Sequence, residues 1–319
     1  MTGNRMKING VALLVTGLFI LSTLVAGCSM KEPPVENMTK IKVLVTVLPV
    51  AGFVQAVGGE RVEVFVAVPP GADPHTFEPS AKDMVKFSGA DIYFSLGRGI
   101  LPFEDNLVSR LSPMNPGMKV VETAPGIELI LNGDGRLDEN PGETPGQVNG
   151  AALHAHDGPD PHIWASLKNT QVIVDHMYEA LISADPAYAA YYKANRDRFL
   201  ANITSVDREI SGVLNKTPRK KFITSHASFG YFARDYGLTQ LVIGQPGKEA
   251  TSKEIETLIR TAQDEEITMI VTEPQYSRKA ADMIANSVNG SVVMADPLAA
   301  EMPQELQKLA IILSGNGLN

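Results

Sequence analysis

Three histidines lie in short stretches that could each contribute one ligand to a metal ion. His75 lies in Asp-Pro-His-Thr, His162 in Asp-Pro-His-Ile-Trp and His226 in Ser-His-Ala-Ser, and the stretch Ala-Asp-Pro-Leu adds the carboxylate of Asp296. Three imidazoles and one carboxylate suit tetrahedral zinc and are acceptable to manganese or iron. Taken alone, a histidine beside a proline has a simpler explanation as a turn residue, and Asp296 as a helix cap. It is the combination of four such stretches that points to a metal site.

The elements that must position these side chains alternate between β-branched runs and helical patterns, which indicates an α/β fold. The histidines fall where predicted strands give way to loops or helices, the edge at which open α/β sheets place ligands. Capping-box patterns at Ser80 with Asp83 and Thr251 with Glu254 support two of the helices. The predicted strands are 41–48, 62–68, 91–96, 119–122, 222–225, 241–243, 267–272 and 291–295, and the predicted helices include 50–57, 80–88, 100–111, 229–236, 252–265, 278–288 and 303–313.

A long helical pattern divides the chain into two lobes. From Pro186 to residue 215, apolar residues recur at mostly three- and four-residue spacing, which predicts a helix of about 30 residues and roughly 45 Å. We expect an N-terminal lobe at 41–185, a linking helix at 186–216 and a C-terminal lobe at 217–319. Within the first lobe, residues 133–158 are rich in glycine and acidic residues and predict a mobile surface loop.

The beginning of the chain predicts export and lipid attachment. A basic start is followed by an apolar run at 11–26, shorter than the roughly 20 residues that span a bilayer. The run ends in Val-Ala-Gly-Cys, which resembles the lipobox of bacterial-type lipoproteins, and Cys28 is the only cysteine in the sequence. We expect a signal peptide at 1–27 and a tether at 28–40, with a lipid on Cys28. A single cysteine also excludes an intramolecular disulfide and a cysteine-rich zinc site.

Together these motifs resemble the cluster A-I metal-binding proteins of ABC importers, the zinc and manganese solute-binding family. The likeness covers the mature chain through DPH followed by FEPS, then DPHIW, SHASFGYFARDYGL, VTEP and ADPLA. It implies two α/β lobes joined by one long rigid linking helix, with the metal held in the interlobe cleft. The residues that match the family's ligands are His75, His162, His226 and Asp296. Zinc members carry histidine at the third position, where manganese members tend to carry glutamate, so His226 favours Zn²⁺ over Mn²⁺ or Fe²⁺.

The resemblance also implies a function and partners. We expect an extracytoplasmic, lipid-anchored zinc-binding protein, not an enzyme. It would work as a monomer at the outer face of the cytoplasmic membrane and deliver the metal to an ABC permease there. Many zinc members carry a loop dense in histidine and acids. Here the loop holds only His154 and His156, so a solvated loop is the alternative to an auxiliary metal-gathering role.

Several side chains near the predicted ligands have supporting roles in this interpretation. A metal-bound histidine usually gives its other ring N–H to a carboxylate or a carbonyl, and Glu78 or Glu273 could accept it. Trp164 and Phe229 would shield the site or belong to the core. His176, inside a helix, is predicted to be structural.

Other functions are less consistent with the sequence. A net charge of −8 makes nucleic acid an unfavourable partner. A zinc hydrolase would keep one position of the metal open for water, whereas Asp296 would fill it here, and the sequence has no HExxH motif. A binding protein for an organic solute such as a siderophore or corrinoid, and an adhesin or metal-sensing surface protein, remain alternatives with the same fold.

Overall fold

The computed structural model describes residues 39–131, 158–243 and 250–315. Cys28, His154 and His156 lie outside these ranges, as do the predicted signal peptide and most of the predicted loop at 133–158. Among the helices in the described ranges, none is both long and apolar enough to cross a membrane.

The N-terminal lobe is built on a parallel sheet with strand order β2-β1-β3-β4. Val43 in the central strand β1 pairs with Val64 on one side and Ile92 on the other, and the strand is apolar because helices cover the sheet. The strands are β1 (Ile41–Val45), β2 (Val62–Val66), β3 (Ile92–Ser95) and β4 (Lys119–Glu122), and the helices are α1 (Leu48–Gly58), α2 (Ala81–Phe87), α3 (Pro102–Leu111) and α4 (Leu167–Ala184).

The linking helix, α5 (Ala189–Leu214), is followed by a C-terminal lobe with the same arrangement of strands, in the order β6-β5-β7-β8 and again all parallel. Its strands are β5 (Lys221–Thr224), β6 (Thr239–Val242), β7 (Met269–Thr272) and β8 (Ser291–Met294), and its helices are α6 (Gly230–Tyr236), α7 (Ser252–Asp264), α8 (Lys279–Ser287) and α9 (Met302–Leu313). The two-lobed α/β architecture predicted from the sequence is confirmed.

Most predicted elements are present, with ends displaced by a few residues. Both capping boxes form: Ser80 and Asp83 at the start of α2, and Thr251 and Glu254 at the start of α7, bond reciprocally through side chain and backbone. The predicted helix from Pro186 is shorter than expected. Residues 186–188 form a 3₁₀ turn, and α5 itself has 26 residues, about 39 Å at 1.5 Å per residue.

Side chains from both lobes hold the linking helix in place. At its start, Asp185 accepts hydrogen bonds from Arg61 at 2.6 Å and from the Tyr192 hydroxyl at 3.0 Å. The Arg61 guanidinium lies 3.8 Å from the centre of the Tyr188 ring, a cation–π contact. Further along, Tyr236 of the C-terminal lobe donates to Asp207 of the helix at 2.7 Å. These contacts at both ends give the helix the character of a rigid strut.

The two lobes share one continuous hydrophobic core that includes residues of both sheets and of α5. Gly52 of α1 lies so near the C-terminal lobe that an added Cβ would be 2.2 Å from the Ala300 carbonyl oxygen. Trp164, fully buried in the N-terminal lobe, donates its indole N–H to the Pro297 carbonyl at 2.8 Å. Such close packing resists wide separation of the lobes.

A buried carboxylate holds together the carboxyl ends of two strands in the N-terminal lobe. Glu104 of α3 accepts hydrogen bonds from the Thr46 hydroxyl, just after β1, and at 2.7 Å from the Leu96 N–H, just after β3. Burial raises the pKa of Glu104 from the usual 4.5 to about 7. Between about pH 4.5 and pH 7, the folded state therefore keeps a proton on Glu104 that the unfolded chain releases.

We expect this proton to make stability depend on pH. The contribution of Glu104 is fully present below about pH 4.5 and is lost as the pH rises through about 7, because the ionised form is penalised only in the folded state. Glu104→Gln should remove this component, so that the wild type loses about 2–3 kcal/mol relative to the variant between pH 5 and pH 8. Urea unfolding of both proteins at the two pH values measures it. If the two proteins differ in unfolding free energy by the same amount at pH 5 and at pH 8, Glu104 is not the source of the pH dependence.

Candidate metal centre

Three imidazoles meet between the two sheets. His75, His162 and His226 each place one ring nitrogen within 4.8 Å of the others. Their ring centroids are 5.1 to 5.4 Å apart. Nitrogens bound to one tetrahedral zinc ion stand about 3.4 Å apart, given a Zn–N distance of about 2.05 Å. A small inward movement would bring these three nitrogens into one coordination sphere.

His75 lies on the loop between β2 and α2. Asp73 fixes the backbone there, because its carboxylate Oδ1 accepts the His75 N–H at 2.8 Å and its carbonyl accepts the N–H groups of Thr76 and Phe77. This is an Asx turn, in which aspartate bonds to the backbone two residues further on. His75 is half-buried, whereas the other two histidines are buried.

The same turn recurs at His162, whose N–H donates to Asp160 Oδ1 at 2.8 Å. Here the carboxylate also contacts the ring, with Asp160 Oδ1 2.7 Å from His162 Nδ1. A proton shared at Nδ1 leaves Nε2 with a free electron pair for a metal. Gly230, at the start of α6, makes room for Asp160, since a Cβ there would be 2.8 Å from its Oδ2.

His226 follows β5 and lies under an aromatic ring. Tyr276 stacks on it with 5.1 Å between ring centroids and an interplanar angle of 25°. The Tyr276 hydroxyl donates to Asp73 of the other lobe at 3.3 Å. Desolvation, followed by the nearby carboxylates of Asp73 and Glu273, raises the pKa of Tyr276, so the hydroxyl remains protonated and available as a donor.

Glu273 brings a buried carboxylate to the wall of the site, just after β7. It is 1% exposed, and the Ser228 hydroxyl donates to its Oε2 at 3.0 Å. Burial raises the pKa of Glu273, and the negative charges of Asp296 and Asp73 add to this effect. No hydrogen bond to its Oε1 is found within the described residues. Glu273 therefore has unused acceptor capacity beside the histidines.

Asp296 is not a member of the histidine cluster. Its Oδ1 accepts hydrogen bonds from the Gln275 amide and the Leu298 N–H, both at 3.0 Å. The adjacent Pro297 and Leu298 line the cavity, whereas Asp296 does not. The sequence placed Asp296 at the end of a strand, as the structure does. The orientation of its side chain, however, depends on which neighbouring groups donate hydrogen bonds to it.

The other candidates from the sequence have clearer positions. Glu78 is exposed and does not line the cavity, which differs from the expected role beside a ligand, because the chain turns outward there towards α2. Trp164 is fully buried and meets the His162 ring edge-on at 5.3 Å, while Phe229 lies in the core. His176 donates to the Pro125 carbonyl at 2.9 Å, in keeping with a structural role.

Sequence reasoning missed three residues that each contact one histidine of the cluster: Asp73, Asp160 and Tyr276. The signal for the two aspartates was present, since both histidines occur in the same Asp-Pro-His tripeptide. Tyr276 gave no comparable signal, because it reaches its partners only when the two lobes are packed together.

The space enclosed by these residues is small. The cavity has a volume of about 10 Å³, room for about one water-sized sphere. Sites for organic ligands usually have about 300 to 1,000 Å³. The arrangement therefore suits a single ion and does not accommodate a siderophore or a corrinoid. Three nitrogen donors with carboxylates beside them match the ligand chemistry of zinc.

The sequence matches the family described as zinc-uptake complex component A, periplasmic, over residues 43–309. The chain belongs to this family. The zinc-binding protein AdcA of Streptococcus pyogenes serotype M1 is 29% identical over 276 residues, which are 84% of this chain and 52% of AdcA. The chain thus spans about half the length of the AdcA proteins it matches. A putative metal-binding protein of Treponema pallidum (strain Nichols) is 30% identical over 84% of this chain and 83% of its own length.

Solved structures agree with the family assignment. A crystal structure of ZnuA superposes with a TM-score of 0.76 at 31% identity and covers 87% of this chain and 99% of that one. A ZnuA deletion mutant with zinc bound superposes with a TM-score of 0.74, also at 31% identity, over 88% of this chain and 98% of the mutant. The laminin-binding protein Lmb of Streptococcus agalactiae, at 22% identity and a TM-score of 0.72, covers 87% of this chain and 99% of its own and shares the fold.

We expect Asp160 to be important for metal affinity because it orients the His162 ring. Asp160→Asn retains the shape but removes the charge, and loss of such a partner usually weakens metal binding about 10- to 100-fold. Competitive titration of Zn²⁺ against a chromophoric chelator measures the change. Asp175→Asn is the matched control, since Asp175 pairs with Arg196 on the surface. Equal affinities for the two variants would contradict the role of Asp160.

Proposed function

We propose that this chain captures zinc outside the cytoplasm and delivers it to an ABC-type permease in the cytoplasmic membrane. The observation that carries the proposal is the convergence of His75, His162 and His226 on one ion-sized space. Membership of the zinc-uptake family and the likeness to a zinc-bound ZnuA structure support it. Transport requires reversible binding of the metal. A site made of side chains from two lobes, such as this one, can be formed and broken by a movement between its parts.

In this proposal, the three histidines are ligands in their neutral form, each through one ring nitrogen. Asp160 holds His162 in the tautomer that binds metal. The fourth ligand is Asp296, which would exchange its hydrogen bonds to Gln275 and Leu298 for the metal. Its position directly before two residues that line the cavity supports this assignment. Glu273, with its buried acceptor, is the alternative.

We assign zinc as the physiological metal because three imidazoles form a borderline-soft donor set. Manganese and iron(II) are the alternatives within the same ligand chemistry, since carboxylates adjoin the histidines. An enzymatic role is not supported, because the cavity leaves no room for a substrate beside a bound ion.

Replacing His226 should decide whether the cluster binds zinc. His226→Ala removes one of three imidazoles, so the zinc affinity should fall by at least about 100-fold, with one ion bound per wild-type chain. Competitive titration against a chelator, repeated with Mn²⁺ as the competitor, measures both affinity and preference. His176→Ala removes a histidine that bonds to a backbone carbonyl elsewhere and should bind like the wild type. Unchanged zinc affinity in His226→Ala would refute the proposed site. Tighter binding of Mn²⁺ than of Zn²⁺ by the wild type would refute the assignment of zinc as the metal.

We also propose that Cys28 carries a lipid that anchors the protein to the outer face of the membrane. The lipobox-like sequence before Cys28 supports this. Cells that express the wild-type protein should incorporate labelled fatty acid into it and retain it in the membrane fraction. Cys28→Ser should abolish both. Unlabelled wild-type protein, or labelled Cys28→Ser protein, would contradict lipid attachment at this residue.

A further inference from the structure

The contacts that join the two lobes differ between the region around His162 and the region around His75, which are here called the two flanks of the cleft. On one flank, α6 is hydrogen-bonded to the segment of the N-terminal lobe that precedes His162. The Tyr231 hydroxyl donates to the Asp160 carbonyl at 2.8 Å and accepts the Ile130 N–H at 3.2 Å, and Arg234 donates to the Glu128 carbonyl at 2.8 Å. Together with the bond from Trp164 to Pro297, these contacts fix the lobes on the side of His162.

On the other flank, the one around His75, the chain forms a surface loop that extends from Pro69 to Ser80. Pro69, Pro70 and Gly71 are exposed, as are Thr76 and Glu78. The backbone hydrogen bonds described for residues 72–77 stay within the loop, such as those to the Asp73 carbonyl. A partly exposed segment whose backbone hydrogen bonds are local can move at a lower free-energy cost than a packed helix.

Tyr276 links this loop to the C-terminal lobe through two contacts of one side chain. Its hydroxyl donates to Asp73 Oδ2 while its ring stacks on His226. Asp73 in turn holds the His75 N–H through its other oxygen. A continuous chain of contacts thus runs from His226 through Tyr276 and Asp73 to His75, between ligands of opposite lobes.

We propose that Tyr276 is a positioning residue that acts as a latch, and that zinc enters and leaves by separation of Asp73 from Tyr276 while the flank of His162 stays closed. This inference rests on the proposed zinc-binding function. The hydroxyl-to-carboxylate distance of 3.3 Å is longer than the usual 2.7–2.8 Å for O–H···O bonds, so this hydrogen bond is weak. The latch bond uses no atom of the three imidazoles, so it governs the rate of opening, not the strength of coordination.

Tyr276→Phe tests the latch because it removes the hydroxyl and keeps the ring on His226. Without the bond to Asp73, opening of the site would require less free energy, both when zinc enters and when it leaves. Zinc association and dissociation rates should therefore both rise about tenfold, while Kd changes less than about threefold. Stopped-flow measurement with a fluorescent zinc chelator gives both rates. The absorption spectrum of the Co²⁺-loaded variant should match that of the wild type, because the ligand set is unchanged.

Two further variants complete the experiment. Asp73→Asn keeps an acceptor for the His75 N–H but weakens the latch, and combining it with Tyr276→Phe should add little to either single change. Tyr236→Phe loses a tyrosine-to-aspartate bond away from the cleft and should release zinc at the wild-type rate. Unchanged rates in Tyr276→Phe, or a raised Kd with an altered Co²⁺ spectrum, would overturn the latch. A wild-type protein that binds no zinc would instead overturn the proposed function, and the latch with it.

Discussion

The structure depends on one constraint: three imidazoles from separate segments must stay close to one another without a covalent link between them. No single helix or strand supplies two of these histidines, so local structure cannot set their spacing. The spacing comes from the packing of two sheets through a shared core and from a strut, α5, that both lobes hold. Close-packed interiors change shape little, which is why such a site can be held open for an ion.

Carboxylates around the site serve the imidazoles in two ways. Asp73 and Asp160 form the same Asx turn, in which each carboxylate accepts the backbone N–H of the histidine two residues further on, His75 or His162. Beyond the turn their roles differ. Asp160 contacts the imidazole ring itself, whereas Asp73 reaches the opposite lobe through Tyr276. The same tripeptide thus fixes the ring of His162 directly and ties the loop of His75 to the opposite lobe.

This difference gives a physical basis for reversible binding without wide hinge motion. The flank of His162 is held by a buried tryptophan and by several interlobe hydrogen bonds, while the loop of His75 is partly exposed and its backbone hydrogen bonds are local. Local opening of such a segment requires less free energy than separation of two lobes that share a core. If the protein binds and releases zinc as proposed, the rates of both steps can therefore depend on a few side chains.

The sequence alone determined most of the helices and strands and the types of side chain at the candidate site. Alternating β-branched and helical patterns predicted the two α/β lobes, capping boxes marked the starts of α2 and α7, and repeated Asp-Pro-His stretches singled out His75 and His162. These features are local, so they can be read from neighbouring residues. The tertiary structure decided which side chains meet. Asp160 contacts the His162 ring, a role for which the sequence offered Glu78 or Glu273. Gln275 and Leu298 hold Asp296 outside the imidazole cluster, and Tyr276 lies over His226. Tyr276 and Asp73 are 203 residues apart in sequence, and only the packing of the lobes brings them together.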